Sequence, residues 1–363
     1  MEDPDTGGYP GGMAVRENAM NSGGEVFLVR VPNWIGDTVM ATAGLSGLDQ
    51  LFPESRIVVV AKPWVIPVIE GHPAVDGILT HNPRRFPARA MDFFKTVRQI
   101  RRLKPSRGVL FHKNFESALL FFVSGIPERT GRPTDGRGFL LTRHVRLDDS
   151  ELVGHQVHHY RSIVSAVAGR PCPPTRPRMV LSAAELDAAD ETIAALPDSG
   201  PVIPVAAGAA YGSAKCWPPE RVAEFVMKAV NRLNARIVFI GGPGERDVSL
   251  KIRDSAGVAA WTMAGEASMR VQAAVIQRAG ICVANDSGLM HVSAALPYVR
   301  TVAIFGPTKP AETAPYGEGH IVIHHPQSCW PCRHRHCPLN HECMRSISAD
   351  EVLNAVETIV SCR

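Results

Sequence analysis

No stretch of this chain is apolar for long enough to cross a membrane. Of its 363 residues 45% are hydrophobic, yet the longest apolar run, residues 118–126, falls far short of the roughly 20 that a spanning helix needs. The first 24 residues have no apolar core of the kind a secretion signal carries, being rich in Gly, Asn and acidic side chains. They read as a disordered extension, with Met13 or Met20 as alternative starts, and the chain as cytoplasmic. Neither sign of charge dominates: 39 Lys and Arg stand against 35 Asp and Glu, a net charge of +4. That balance requires no nucleic acid, while its mild basic surplus suits a phosphorylated ligand. What remains is the composition of a soluble globular protein long enough for two domains of ordinary size.

Short apolar runs at 26–31, 56–61, 77–80 and 108–111 alternate with segments long enough for helices, which predicts an α/β doubly wound parallel sheet. GRPCPPTRPR at 169–178 carries four prolines and can be neither helix nor central strand, so a domain boundary belongs there. The first Rossmann-like domain is read as 25–172. A second follows at 173–347, with strands at 202–205, 236–240, 281–284 and 301–305, and a terminal helix at 348–363.

Ligand-bearing positions gather where these strands end. VANDSGLMHVSAAL at 283–296 passes from a buried strand directly into a helix. Asn285, Asp286 and Ser287 are cap formers there, and Gly288 permits close backbone approach. The free N–H groups at such a junction, with the positive end of the helix dipole, suit a diphosphate. Spacing alone also allows an ordinary capped helix, with His291 a packed core histidine.

A second loop, AAGAAYGSAKCWPP at 206–219, follows another apolar run and carries Lys215, a compact positive charge of the kind placed beside phosphate oxygens. Two such loops in one half-chain predict a nucleotide cleft. Asp37 follows the first strand, where ligands bind in open α/β sheets; spacing alone allows a helix cap there as well. His112, Lys113, Asn114 and Ser117 follow the fourth strand, with Arg129, Arg132 and Arg137 beyond. Glu245, in GGPGERD after the strand at 236–240, stands where a carboxylate can hold ribose hydroxyls or simply start an exposed helix. Thr308 ends the strand at 301–305.

DSGLMH at 286–291, KCWP at 215–218, FGPTKPAETAPYG at 305–317 and PNWIGDTVMAT at 32–42 together resemble glycosyltransferase family 9. This family contains the ADP-heptose:lipopolysaccharide heptosyltransferases, and PNWIGD is most similar to the heptosyltransferase II branch. The likeness runs from about residue 26 to about 360. It implies a GT-B fold, two Rossmann-like domains facing across a cleft, with a terminal helix packed back toward the first. It also implies inverting transfer of a heptose from an ADP-activated donor to the lipid A-core acceptor. By the same likeness Asp37 is the base and Lys215 stabilises the leaving diphosphate. Asp286, Ser287, Gly288, Leu289, His291, Glu245 and Thr308 hold the donor. The acceptor belongs to the first domain, where Lys113, Asn114 and Arg137 are the candidates.

No DxD-type pair of carboxylates is positioned to hold a divalent ion, so no cofactor is expected for catalysis. A family glycosyltransferase using another nucleotide sugar stays open, and a non-catalytic nucleotide-sugar or glycan-binding protein with a metal- or redox-sensing cysteine cluster is the alternative from a different class. The basic helix at 92–103, with Phe94, Val97, Ile100 and Leu103 as its apolar face, covers a sheet or touches anionic lipid at the inner face of the inner membrane; Arg84 and Arg85 lie nearby.

Four of the eight cysteines fall in CWPCRHRHCPLNHEC, at Cys329, Cys332, Cys337 and Cys343. Four thiols so close in a cytosolic chain point to a metal site, a structural Zn²⁺ above all. Redox pairing and free structural thiols stay open, because the spacings after the first CxxC are irregular for a zinc ribbon. Cys282, within a strand, reads as a small buried hydrophobe.

Overall fold

The computed structural model describes residues 13–15, 24–83, 88–148, 153–197 and 199–361. Arg84, Arg85 and Cys362 lie outside them. The chain divides into two compact units, Met1–Val180 and Leu181–Arg363.

In the first unit the strands are β1 (Met13–Val15), β2 (Val26–Arg30), β3 (Arg56–Ala61), β4 (Gly77–Thr80), β5 (Arg107–Leu110), β6 (Glu128–Gly131) and β7 (Arg143–His144). They lie in the order β1-β4-β3-β2-β5-β6-β7. All neighbours are parallel except β1, which pairs antiparallel with β4. In the second unit β8 (Val202–Ala206), β9 (Arg236–Phe239), β10 (Ala260–Thr262), β11 (Ile281–Asn285), β12 (Arg300–Phe305) and β13 (Ile321–His324) form a wholly parallel sheet. Its order is β10-β9-β8-β11-β12-β13.

Branched residues explain the central strands. RIVVVA in β3 and VFLVR in β2 are buried almost throughout, as a parallel sheet covered by helices on both faces demands. The helix Pro219–Leu233 starts at a proline and buries Val222, Phe225, Val226 and Ala229, the face predicted from its spacing.

Three expectations are corrected. Part of the N-terminal extension is ordered: Met13–Val15 fills the open edge of β4, whose unpaired amide and carbonyl groups accept another strand. The first unit runs through Val180 rather than ending at 172, because the proline-rich segment is bonded to the first helix. Thr175 Oγ1 donates to the Ala43 carbonyl at 2.7 Å, and the Arg178 amide donates to Thr42 Oγ1 at 2.9 Å.

In the terminal helix Ala349–Ser361, Val352, Leu353, Val356 and Ile359 pack in the core of the second unit with Phe225 and Val226. In the helix Ala88–Leu103, Val97 and Ile100 are buried as expected, but Phe94 is 58% exposed and Phe93 packs inward instead. Phe93 precedes Val97 by one helical turn and so shares its face, whereas Phe94 is rotated by about 100°.

Candidate active site

Each parallel sheet reverses its strand order beside the unit's first parallel strand, between β2 and β5 and again between β8 and β11. Where the order reverses, the loops leaving the two strands part to opposite sides and open a crevice at the carboxyl ends.

In the first unit that crevice is a cavity of about 330 Å³ lined by Pro32, Asn33, Trp34, Asp37, Phe111, His112, Lys113, Asn114, Asp135 and Tyr160. Asp37 stands in the first turn of the helix Ile35–Leu51, whose N-cap is Trp34. The carboxylate is therefore not the cap, although Thr38 beside it bonds back to the Pro32 carbonyl at 3.0 Å. Asn33 is held from beneath by Arg30, 2% exposed, whose guanidinium donates to Asn33 Oδ1 at 2.6 Å and to the Val31 and Val60 carbonyls. Burial pulls that guanidinium down to about 10, still protonated at neutral pH.

The opposite wall comes from the loop after β5. His112 is pushed down to about 4 by burial and then by the charge of Arg30, so it is neutral at pH 7 and a hydrogen-bond partner only. Lys113 is lowered by desolvation, an effect the nearby negative charge of Asp37 opposes. Asn114 caps the helix Phe115–Val123, accepting from the Ser117 amide at 3.1 Å, and its carboxamide also meets His112 at 2.8 Å. It lines the cavity while fixing the loop.

Arg137, expected to meet the acceptor, is fully buried. It donates to the carbonyls of Arg132, His112 and Asn114, so it holds the wall up from behind; one long cation satisfies three turn carbonyls that no strand reaches. Tyr160 was not singled out in the sequence. It lies on the helix Gln156–Ala168 among apolar positions that read as packing, yet its ring meets Phe111 at 5.3 Å and closes one side of the cavity.

The second unit presents a tighter arrangement. Lys215 Nζ lies 2.5 Å from Asp286 Oδ2, and Thr308 Oγ1 donates to that same oxygen at 2.6 Å. Three loops, those after β8, β11 and β12, thus meet on one carboxylate that is 4% exposed. Lys215 also lies over the Tyr211 ring at 4.9 Å.

Asn285, expected as a cap former, instead ties loop to loop: its amide donates to the Ala207 carbonyl at 2.6 Å and its oxygen accepts from the Trp217 amide at 3.1 Å. The helix cap itself is Ser287, whose hydroxyl makes no capping bond and is enclosed without a hydrogen-bond partner. Ser287, Gly288 and Leu289 are partly exposed, whereas His291 is 6% exposed and packed into the fold.

Glu245 sits in a cradle of glycines. A side-chain carbon on Gly208 would come within 1.7 Å of its carboxyl oxygen, and one on Gly241 within 2.4 Å. These two glycines lie two residues beyond β8 and β9, so their lack of side chains is what admits a carboxylate between the strand ends. Burial raises its pKa, and the Gly242 amide, donating at 2.7 Å, opposes that.

The cysteine segment is built against this site. The Ala214 amide donates to the Arg335 carbonyl at 3.0 Å, the Ala214 carbonyl meets His341 Nε2 at 2.8 Å, and Tyr211 Oη donates to the Arg333 carbonyl at 2.8 Å. Trp330 Nε1 donates to the Thr308 carbonyl at 2.9 Å. Gly212 is required here, since a side-chain carbon would lie 2.3 Å from the Arg335 carbonyl oxygen.

The seven described cysteines are free thiols. Burial pushes Cys343 up to about 11, with the nearby Cys337, Cys332 and Cys329 adding to the effect. A soft donor set is therefore present, but among the described residues no three His, Cys, Asp or Glu side chains are arranged to hold a metal ion. Cys282 is fully buried, its thiol pushed up to about 12, as a small core residue should be.

The family model described as glycosyltransferase family 9 (heptosyltransferase) matches residues 93–342. Lipopolysaccharide heptosyltransferase 2 of Escherichia coli K12 is 29% identical over 316 residues, covering 82% of this chain and 87% of that relative. The solved structure of the E. coli ADP-heptose lps heptosyltransferase II superposes with a TM-score of 0.78 at 25% identity, over 93% of this chain and 98% of that one. A glycosyl transferase family 9 structure from Veillonella parvula has the same fold, with a TM-score of 0.81 at 23% identity over 96% and 100% of the two chains.

Proposed function

This chain belongs to glycosyltransferase family 9, and from that premise we propose that it is an inverting transferase moving a heptose from ADP-heptose to the inner core of lipopolysaccharide. The observation that carries the proposal is the Asp37 cavity, where a carboxylate at a strand-order reversal shares an open crevice with polar side chains able to seat a sugar. The relatives named for heptosyl transfer supply the substrate class.

Asp37 accepts the proton of the acceptor hydroxyl as its oxygen forms the new bond to the anomeric carbon. The bond from that carbon to the diphosphate breaks on the opposite side, and its electron pair leaves with ADP. Lys215 neutralises the charge that builds on the departing phosphate oxygens, with the amides around Gly288 as secondary donors. Until donor binds, Asp286 occupies the ammonium of Lys215; the phosphate then competes for a cation already held in place by Thr308's partner and the cysteine segment. Glu245 takes the ribose hydroxyls, and Lys113 and Asn114 face the acceptor.

A lysine in this position performs what a divalent ion would, so turnover needs none, and no step passes through the cysteines. The reaction belongs on the cytoplasmic side of the inner membrane, where the acceptor's lipid is anchored. Incubation with ADP-heptose and a heptose-bearing core acceptor, in chelator, should release ADP. A panel of nucleotide sugars should show ADP-heptose preferred. Release that appears only on adding Mg²⁺, or only from a UDP-sugar, would overturn this scheme.

A further inference from the structure

The first unit carries an outward face that the chemistry at Asp37 does not use. In the helix Phe115–Val123, Phe115 and Phe122 stand about two turns apart and therefore lie on one side, 37% and 49% exposed, while Leu119 packs partly against the core. The two rings point away from the core, whose side is taken by Ala118, Leu120 and Phe121. The neighbouring helix Ala88–Leu103 behaves alike: Met91 is 70% and Phe94 58% exposed, while Phe93, Val97 and Ile100 face inward.

Its surface continues into Lys95, Arg98, Arg101 and Arg102, and the helix as a whole has five basic residues against one acidic. The two helices are fastened at both ends, by Arg89 to Glu116 at 2.6 Å and by Arg101 to the Val123 carbonyl at 2.9 Å. Phe139, 76% exposed, joins through its ring to Phe115 at 6.1 Å, and Arg129 lies over Phe122. Scattered exposed apolar side chains are ordinary, but rings gathered in one patch and rimmed by cations are not.

We propose that this face seats the first unit on an anionic bilayer surface. The patch begins at Phe115, next in the chain to the cavity-lining Asn114, and Trp34, itself 49% exposed, lies on the same cavity. Resting on the function proposed above, docking here would bring a lipid-anchored acceptor to the rim of the Asp37 cavity. Aromatic and methionine side chains enter the headgroup boundary, and long cations reach lipid phosphates beside them. A second copy is a poorer occupant, because two such faces would oppose five basic residues to five. No described helix is long and apolar enough to span the bilayer, so the contact is a surface one.

Co-sedimentation of the full chain with phosphatidylcholine vesicles, with and without phosphatidylglycerol, tests this directly. Binding should be at least about tenfold tighter to the anionic vesicles and weaken with added salt. Phe94→Ser with Phe122→Ser should cut it by about tenfold or more, since buried ring area is lost. Arg98→Glu with Arg102→Glu should do so only on anionic vesicles. ADP release with a delipidated, soluble acceptor should stay unchanged in both pairs. If the wild-type chain ignores anionic vesicles, if the charge-reversed pair binds them as well as wild type does, or if the same residues instead govern self-association in sedimentation velocity, the proposal fails. Vesicle binding needs no turnover, so a chain that docks yet releases no ADP would sink the assigned reaction and leave the docking face standing.

Discussion

The two units share one strand order and one place for a ligand, yet they fill that place in opposite ways. In the first, the loops after β2 and β5 leave an open cavity with a carboxylate, a neutral histidine and an aromatic wall. In the second, the loops after β8, β11 and β12 close on one another through a single buried carboxylate. Topology determines where a crevice opens; on the function proposed above, the side chains decide whether it takes a neutral hydroxyl or a diphosphate. A base must be reachable by a mobile acceptor, and cations that bind a diphosphate work best when they are fixed in advance.

The comparison breaks most visibly at Asp37. Asp37→Asn keeps shape and hydrogen bonding but removes the proton acceptor, so steady-state turnover should fall by about 10²-fold or more. Near-normal turnover would reduce Asp37 to a first-turn residue of its helix. In the second unit, Asp286→Ala strands Lys215 Nζ and Thr308 Oγ1 together, and breaking a buried ion pair costs on the order of 3 kcal/mol. Differential scanning calorimetry should show that loss in the transition of the second unit alone.

Glu245→Gln sharpens the contrast further, because under the proposed function it alters only the ribose end. ADP affinity should drop by about tenfold, and discrimination against a deoxyribose analogue should shrink with it. Equal losses for ADP and the analogue would place Glu245 outside the nucleotide site.

The smallest effect is on acid stability. Burial lowers His72 and His112 in the first unit, and His320 in the second, to about 4. A histidine so depressed is neutral when folded, while the unfolded chain takes up the proton near 6.5. The stability is therefore complete above about 6.5 and is lost as pH falls from there toward 4. With two such groups against one, the first unit should unfold at the higher pH in an acid titration followed by hydrogen exchange.

The sheets were legible wherever apolar residues run together, as in β2, β3 and β8. Strands such as β6, ERTG, and β13, IVIH, escaped because they are short, lie toward a sheet edge and are only partly buried. The strand-end positions of Asp37, Lys215 and Asp286 were legible in glycine-bearing strand-to-helix turns, whereas the roles expected of them came from the family resemblance. Arg137 was misassigned as an acceptor contact because sequence shows a cation without showing that three carbonyls enclose it. Tyr160 was missed because a tyrosine at helical spacing looks like core until a neighbouring loop leaves a space beside it. The cysteine segment's grip on Ala214 is also absent from any motif, since it runs through backbone carbonyls.

The division of labour between the two crevices is tested most directly by titrating ADP calorimetrically into wild type, Asp37→Asn and Lys215→Ala. The account predicts that Asp37→Asn binds ADP within about twofold of wild type, whereas Lys215→Ala binds at least about tenfold more weakly. Equal weakening by both variants, or none by Lys215→Ala, would contradict it.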